Sequence, residues 1–183
     1  MKNDSTKKLR LIGVTPIMFD PFYGQEKIPV EEKFYFGNDG QTLVLPNANI
    51  LGFLNSQKVH SCVRLYLKST EWATRSNEIA GCVSILPAEI VFKDDKGKPI
   101  KFSGWNEKIA IDKRMVFPNK KVRDIACRPT MEPPWNLELE VSIFETEFIT
   151  FNRILDWFDR GGFQVGIGAY RPLFGRFRVE DLS

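Results

Sequence analysis

The order of elements in this 183-residue chain predicts an α+β fold of the split βαβ type, with helices on one face of an antiparallel sheet. Two observations predict it. The clearest strand pattern, over 135–144, passes directly into the clearest helix pattern, over 147–160, and a last strand follows. An earlier strand, helix and strand precede them. A hydrophobic share of 43% with 15 Phe is enough for one core, so we expect a single domain over 1–183.

A strand and a hairpin are predicted near the beginning of the chain. Apolar residues alternate within 8–18, which is typical of a strand, and Thr15-Pro16 is expected to end its regular pairing. Gly37-Asn38-Asp39-Gly40 separates the apolar segments 34–36 and 43–45. Residues of this kind tolerate positive φ angles, so they predict a hairpin turn.

Helices follow, and then further strands. Apolar residues repeat at helical spacing after Pro46, and a second short helix is predicted over 71–80. The stretch 82–92, which Pro87 interrupts, indicates one or two strands.

The middle of the chain predicts insertions into the sheet. Asp94-Asp95-Lys96-Gly97 has the composition of a turn, and we expect an exposed insertion hairpin over about 93–105. The segments 109–117 and 121–127 have weaker strand patterns, and the second is expected to end at Arg128-Pro129.

The strongest patterns lie in the last third of the chain. Apolar and polar residues alternate over 135–144, which predicts a strand with one buried face. Thr146 is a suitable N-cap for the helix over 147–160, and Gly161-Gly162 is expected to end that helix. A final strand is predicted at about 176–179. The helix has an apolar stripe that predicts its buried face: Phe148, Phe151, Ile154, Leu155 and Phe158.

The composition weighs against several classes of protein. The three cysteines, Cys62, Cys82 and Cys127, form no CxxC pair, so we expect reduced, buried thiols and no zinc site. No apolar run reaches the roughly 18–20 residues that cross a bilayer. The polar start of the chain does not resemble a secretion signal. These features predict a soluble cytoplasmic protein.

Cations are clustered in this chain although its net charge is only +3. Residues 111–130 carry six cations against two Asp, and residues 166–178 carry three Arg and no acidic residue. The stretch 138–159 carries six acidic residues against one Arg. Such segregation favours a local positive field that attracts a polyanion, although a charge run can also be a solvated face.

The glycine-rich stretch 161–177 is the most unusual segment. Glycine at 166, 168 and 175 permits backbone conformations closed to other residues and the close approach of a ligand. The stretch is neither a dinucleotide fingerprint nor a P-loop, because its third glycine is misplaced and GxxxxGK[ST] is absent. A turn before the last strand explains the glycines equally well.

The side chains of this stretch point towards nucleic acid. Arg171 is expected to project from the loop, beside exposed amides that face phosphate. Tyr170 and Phe174 lie close to cations, which is the combination expected where bases stack and phosphates are neutralised.

Gly166-Ile167-Gly168, six further residues and then Gly175-Arg176-Phe177 resemble the glycine-rich loop of the RAMP superfamily. These are the ferredoxin-like RNA-binding proteins of CRISPR effector complexes. Their pattern is glycine–hydrophobic–glycine, about five residues, then glycine–hydrophobic–glycine. This chain departs from it in the spacer, in Arg176 at the hydrophobic place and in Phe177 in place of the final glycine.

Other segments resemble phage-encoded relatives of the backbone subunits of these complexes. They are Lys113-Arg114, Cys127-Arg128-Pro129, Trp135, GIGAYRPLFGRF in the glycine-rich stretch and, at the first helix, Leu45-Pro46-Asn47-Ala48-Asn49-Ile50-Leu51. The resemblance implies a ferredoxin-like (RRM-like) sandwich with hairpin insertions, nucleic-acid binding and self-assembly along a strand. It also implies oligomers or association with defence-complex subunits, in the host cytoplasm if the protein is phage-encoded.

We therefore expect a non-catalytic protein that binds single-stranded RNA or DNA and needs no cofactor or metal. The candidate contacts are cations and residues of the glycine-rich stretch: Arg114, Lys120, Lys121, Arg123, Arg128, Gly166, Gly168, Tyr170, Arg171, Gly175 and Arg176. Phe22 and Tyr23, in a loop with Pro and Gly, are candidates for gripping a neighbouring subunit.

Two other functions stay open. One is a virus-encoded interaction factor or inhibitor that mimics a host defence-complex subunit and binds a protein surface. The other is a metal-independent ribonuclease with His60, the one histidine, as general base, because some RAMP relatives use a histidine in this way. Asp94-Asp95 is the nearest approach to a carboxylate pair, but Lys96-Gly97 beside it indicates a solvated turn.

Overall fold

The structure is a computed structural model that describes residues 5–21, 28–119 and 122–183. Within these residues the fold is α+β, with two antiparallel sheets. The helices are α1 (Asn47–Asn55), α2 (Cys62–Tyr66), α3 (Trp72–Cys82) and α4 (Phe151–Gln164). The strands are β1 (Ser5–Gly13), β2 (Ile17–Met18), β3 (Val44–Pro46), β4 (Val83–Leu86), β5 (Glu89–Lys93), β6 (Ile109–Asn119), β7 (Val122–Met131), β8 (Asn136–Ile143) and β9 (Phe177–Asp181).

The larger sheet has β1 and β8 at its centre. β9 pairs with the outer side of β1, while β4 and β5 pair one after the other with the opposite side of β8. β3 continues the sheet beyond β5. The alternation over 135–144 is confirmed as a strand, because its residues in β8 are alternately buried and half-buried.

The hydrophobic core lies between this sheet and the helices. Leu9 of β1 lies opposite Leu139 of β8, and both side chains are buried. Phe53 of α1 contacts both Phe158 of α4 and Phe177 of β9, with ring centroids 5.6 and 5.4 Å away. Each such buried aromatic side chain stabilises the fold by about 1.5–3 kcal/mol, so these contacts join two helices and the last strand.

The opposite, open face of the sheet is covered by paired charges. Lys93 of β5 and Arg10 of β1 both contact Glu138 of β8, at 2.6 and 3.0 Å, and Arg10 reaches Glu180 of β9 at 2.8 Å. We call these four residues the sheet ladder. The residues of β1, β8 and β9 that alternate with the buried positions are polar or aliphatic, and none of them is aromatic: Thr6, Lys8, Arg10, Ile12, Asn136, Glu138, Glu140, Ser142, Arg178 and Glu180.

The second sheet is built on a long hairpin of β6 and β7, whose inner end pairs with β2. The weak strand patterns over 109–117 and 121–127 are confirmed for their described residues, but β7 continues past Arg128-Pro129 to Met131. Proline lacks the N–H that other strand residues donate, and in β7 its carbonyl accepts a hydrogen bond from Phe19 N–H at 2.9 Å.

The insertion expected over 93–105 is exposed only in part. The turn at 94–97 is present, with a hydrogen bond from Gly97 N–H to Asp94 O. The returning segment packs inwards, because Ile100 is only 8% exposed and the rings of Phe102 and Trp105 contact that of Phe34. The long hairpin of this fold is β6–β7.

Helix α4 differs from its prediction at both ends. It begins after Thr150, whose hydroxyl accepts from Arg153 N–H, whereas Thr146 stabilises a preceding turn. It also continues through Gly161-Gly162, which were expected to end it. A Cβ on Gly161 would lie 2.7 Å from Cys62 Sγ, and one on Gly162 would lie 2.7 Å from Phe177 O. The two glycines therefore allow α2 and β9 to pack closely against the helix.

No helix in the described ranges is both long and apolar enough to cross a membrane.

Candidate nucleic-acid interface

Residues 165–176, which we call the glycine loop, join α4 to β9 and are anchored along β2. Ala169 N–H donates to Met18 O at 2.9 Å, and Gly175 N–H donates to Pro16 O at 2.8 Å. Within the loop, Ile167 N–H donates to Gly175 O at 2.9 Å. These three amides are bonded to protein carbonyls, so they are not available to a phosphate as the sequence had suggested.

Glycines in this loop are required by its own close packing. Gly175 has φ +73°, and a Cβ there would lie 1.8 Å from Ile167 O. Gly168 has φ +78°, and its Cβ would lie 2.7 Å from Met18 O. Gly166 also has positive φ. The three candidate glycines therefore determine the conformation of the loop. Any effect that they have on ligand binding is indirect, because they position the side chains that lie between them.

Two candidate arginines from the β6–β7 hairpin converge on the glycine loop. The guanidinium carbon of Arg114 lies 5.1 Å from the ring centroid of Tyr170 and 4.9 Å from that of Phe174. The guanidinium carbon of Arg128 lies 5.7 Å from the Tyr170 ring. We call these four residues the rim. Tyr170 is 46% exposed and has φ +59°, a left-handed conformation that costs a non-glycine residue about 1–2 kcal/mol.

An aspartate is bonded to each rim arginine. Asp112 binds Arg114 through two hydrogen bonds, Nε to Oδ1 at 2.6 Å and Nη2 to Oδ2 at 3.0 Å, and the first of these raises the arginine pKa. Asp20 accepts from Arg128 Nε at 2.6 Å and lies 3.7 Å from Lys33 Nζ. Within the described residues, Arg128 Nη1 is buried and has no hydrogen-bond partner.

Comparison with protein-family models gives no match, and neither does comparison with curated proteins. Function must therefore be argued from the chemistry of the rim. Two guanidinium groups, a tyrosine ring and one unsatisfied donor suit an anionic, partly planar ligand.

Arg171 and Arg176, two other candidates from the same loop, do not join the rim. Burial raises the pKa of the Cys62 thiol, and the positive charge of Arg171 acts in the opposite direction. Burial lowers the pKa of Arg171 itself, and among the described residues it has no ion-pair or hydrogen-bond partner. Arg176 donates to Pro172 O and stacks on Phe163, 4.8 Å from the ring centroid.

The remaining candidates lie at the outer end of the hairpin or outside the described residues. Lys120 and Lys121 are outside them, as are Phe22 and Tyr23. Arg123 belongs to β7.

Sequence reasoning missed the two aspartates of the site. The pairing of Asp112 with Arg114 had a signal, because residues two apart on a strand share a face. Asp20 is 108 positions from Arg128 along the chain, and only the folded structure brings them together.

The residues considered for catalysis do not gather into a site. His60 is exposed in the loop between α1 and α2. Asp94 accepts hydrogen bonds from Lys98 N–H and Lys96 N–H, which lower its pKa and fix it in the predicted turn. In the parts of the chain that the structure describes, no group of His, Cys, Asp and Glu could hold a metal ion.

Proposed function

We propose that this protein binds single-stranded nucleic acid at the rim and catalyses no reaction. The observation that supports the proposal best is the convergence of Arg114 and Arg128, from two different strands, on the ring of Tyr170. Guanidinium groups are planar forks of donors that match phosphate oxygens, and aromatic rings are the usual platform for unpaired bases.

The unsatisfied donor of Arg128 gives this proposal further support. A buried N–H without an acceptor costs about 1–3 kcal/mol, and more when it belongs to a charged group. Nη1 of Arg128 is such a donor, and it lies on the arginine that contacts Tyr170. A phosphate or carbonyl oxygen would recover that cost if binding exposed this atom, which the protein itself buries.

We also propose that the fold is the ferredoxin-like (RRM-like) sandwich of the RAMP superfamily. Three features support the proposal: β1 and β8 are central in the larger sheet, the last strand β9 lies beside β1, and a glycine loop leads into β9. The long β6–β7 hairpin is then the insertion. Self-assembly along a strand and residence in the cytoplasm stay predictions of the same resemblance.

The open sheet face is a poorer candidate than the rim. Sheets that read single strands do so with aromatic side chains on the exposed face. Here the outward-facing residues of β1, β8 and β9 contribute none, and the sheet ladder uses its cations to neutralise Glu138 and Glu180. We therefore place nucleic acid at the rim.

Fluorescence anisotropy with labelled oligo(dT) and oligo(U) tests this function. We expect the wild-type protein to bind with an affinity that falls steeply as salt rises. The double variant Arg114→Ala/Arg128→Ala should lose about tenfold or more, because hydrogen bonds to charged groups contribute about 1.5–3 kcal/mol each.

Arg10→Ala is the matched control, because it removes a cation from the sheet ladder. It should bind within about twofold of wild type, a margin that corresponds to less than a weak surface ion pair. Absence of wild-type binding at low salt, or full binding by the double variant, contradicts the proposal.

A further inference from the structure

Around Tyr170 the charges alternate and cancel. Asp112 is hydrogen-bonded to Arg114, and Asp20 to Arg128. Asp112 is also the cross-strand partner of Arg128 in the β6–β7 register. The two arginines and two aspartates therefore lie together with a formal charge of zero, and Lys33 beside Asp20 adds one positive charge.

We infer that Asp20 and Asp112 are intrinsic competitors for the phosphates of the ligand, and that they restrict the rim to polyanions. This inference rests on the proposed function. A phosphate that approaches either arginine meets a carboxylate that already occupies part of the guanidinium and repels a second anion. A mononucleotide brings one phosphate and cannot compensate for both carboxylates. A single strand brings consecutive phosphates on one chain, so the second contact is made at a high effective concentration.

Each aspartate bonds to only part of its arginine. Asp112 uses Nε and Nη2 of Arg114, and Asp20 uses Nε of Arg128. Neither aspartate uses Nη1 of its arginine, and Nη1 of Arg128 is buried. The aspartates hold both arginines in a defined conformation when no ligand is bound, and neither aspartate uses all the N–H groups of its arginine.

The two aspartates differ in the number of cations that they hold. Asp20 lies close to both Arg128 and Lys33, whereas Asp112 is paired with Arg114. Removal of the Asp20 charge takes a carboxylate away from Arg128 and Lys33, although Lys33 still donates to Cys127 O, and removal of the Asp112 charge takes one away from Arg114. The inference therefore predicts a larger gain in affinity from a change at Asp20 than from one at Asp112.

The test compares Asp20→Asn and Asp112→Asn with Glu138→Gln, which changes the net charge equally but lies in the sheet ladder. Oligo(dT) affinity is measured by anisotropy, with dTMP as a competitor. We expect D20N and D112N to bind about three- to fivefold more tightly, on the scale of single ion pairs, and D20N the more tightly of the two. E138Q should stay within about twofold of wild type. The D20N/D112N double variant should also become sensitive to dTMP.

The outcomes separate this inference from the function on which it rests. If wild type binds but both Asn variants bind no better than E138Q, the competitor role is wrong and the proposed function stands. If wild type and all variants fail to bind, both are wrong. If D20N fails to fold, as judged by its thermal transition, D112N against E138Q decides the result.

Discussion

The rim and the open sheet face both pair arginines with carboxylates, but they leave those arginines in different states. In the sheet ladder, Arg10 donates from Nε and Nη2 to Glu138 and from Nη1 to Glu180, so each nitrogen of its guanidinium has an acceptor. At the rim, Arg128 donates from Nε to Asp20, and its Nη1 is buried without a partner. The ladder engages every nitrogen of Arg10, whereas at the rim Nη1 of Arg128 has no partner among the described residues.

This difference shows why charge alone does not identify a binding surface. An arginine whose three nitrogens all have acceptors gains less from a ligand than a buried donor without an acceptor, which gains a hydrogen bond. Aromatic side chains distinguish the rim from the open sheet face in the same way. Tyr170 and Phe174 lie under the rim arginines, and the outward-facing residues of β1, β8 and β9 include no ring.

The largest expected effect concerns the backbone that supports the rim. Gly175→Ala should destabilise the protein by about 2–5 kcal/mol, the sum of a left-handed alanine and an overpacked contact. The clash arises because the new Cβ would lie 1.8 Å from Ile167 O. Urea unfolding measures the change in the free energy of unfolding.

Gly97→Ala is the control, at the turn beside the sheet ladder. Gly97 has nearly the same φ, +75°, but has no atom within 4 Å of the new Cβ. Its cost should be about 1–2 kcal/mol, from the backbone conformation alone. Equal costs for the two variants would show that packing does not constrain the glycine loop.

A smaller effect is expected when the ring between the rim arginines is removed. Tyr170→Ala should weaken oligonucleotide binding by about tenfold, within the 1–3 kcal/mol that one stacking aromatic contributes. Phe163→Ala is matched to it, because Phe163 is 54% exposed and stacks on Arg176 away from the rim. Equal losses of affinity from the two variants, measured by anisotropy, would mean that Tyr170 contributes no more to binding than Phe163 does.

The smallest effect concerns the pH dependence of the sheet ladder. A hydrogen bond from Lys93, followed by one from Arg10, lowers the pKa of Glu138 in the folded protein. The group therefore contributes stability above its unfolded pKa, and this contribution is lost as pH falls through the lower folded value. Glu138→Gln should make the loss of stability below about pH 4 shallower than in wild type, as followed by thermal unfolding. An unchanged slope would contradict this role.

The sequence predicted the parts of the fold whose residues repeat at a regular period. The alternation over 135–144 identified β8 and its buried face, because that period reports burial directly. Gly161-Gly162 were misread as a helix end, since their cause is the close packing of Cys62 and Phe177, which a local pattern cannot contain. Glycine is needed at these two positions because a side chain would not fit, and not because the backbone has a positive φ angle.

The candidate site was predictable in composition but not in arrangement. The clusters at 111–130 and 166–178 identified the hairpin and the loop that supply the rim. Their sequence could not show which arginines reach the ring of Tyr170, or that Asp20 reaches Arg128 across 108 positions. Both features depend on the direction in which each side chain points in the folded protein.

The most direct test of the rim as the nucleic-acid site is ultraviolet cross-linking to oligo(dT), followed by mass spectrometry of tryptic peptides. We predict that the cross-link lies in the peptide 161–176, at Tyr170 or Phe174, and that Arg114→Ala/Arg128→Ala reduces it while Arg10→Ala does not. Cross-links that lie instead in the strands of the open sheet face, and that Arg10→Ala abolishes, would contradict the account.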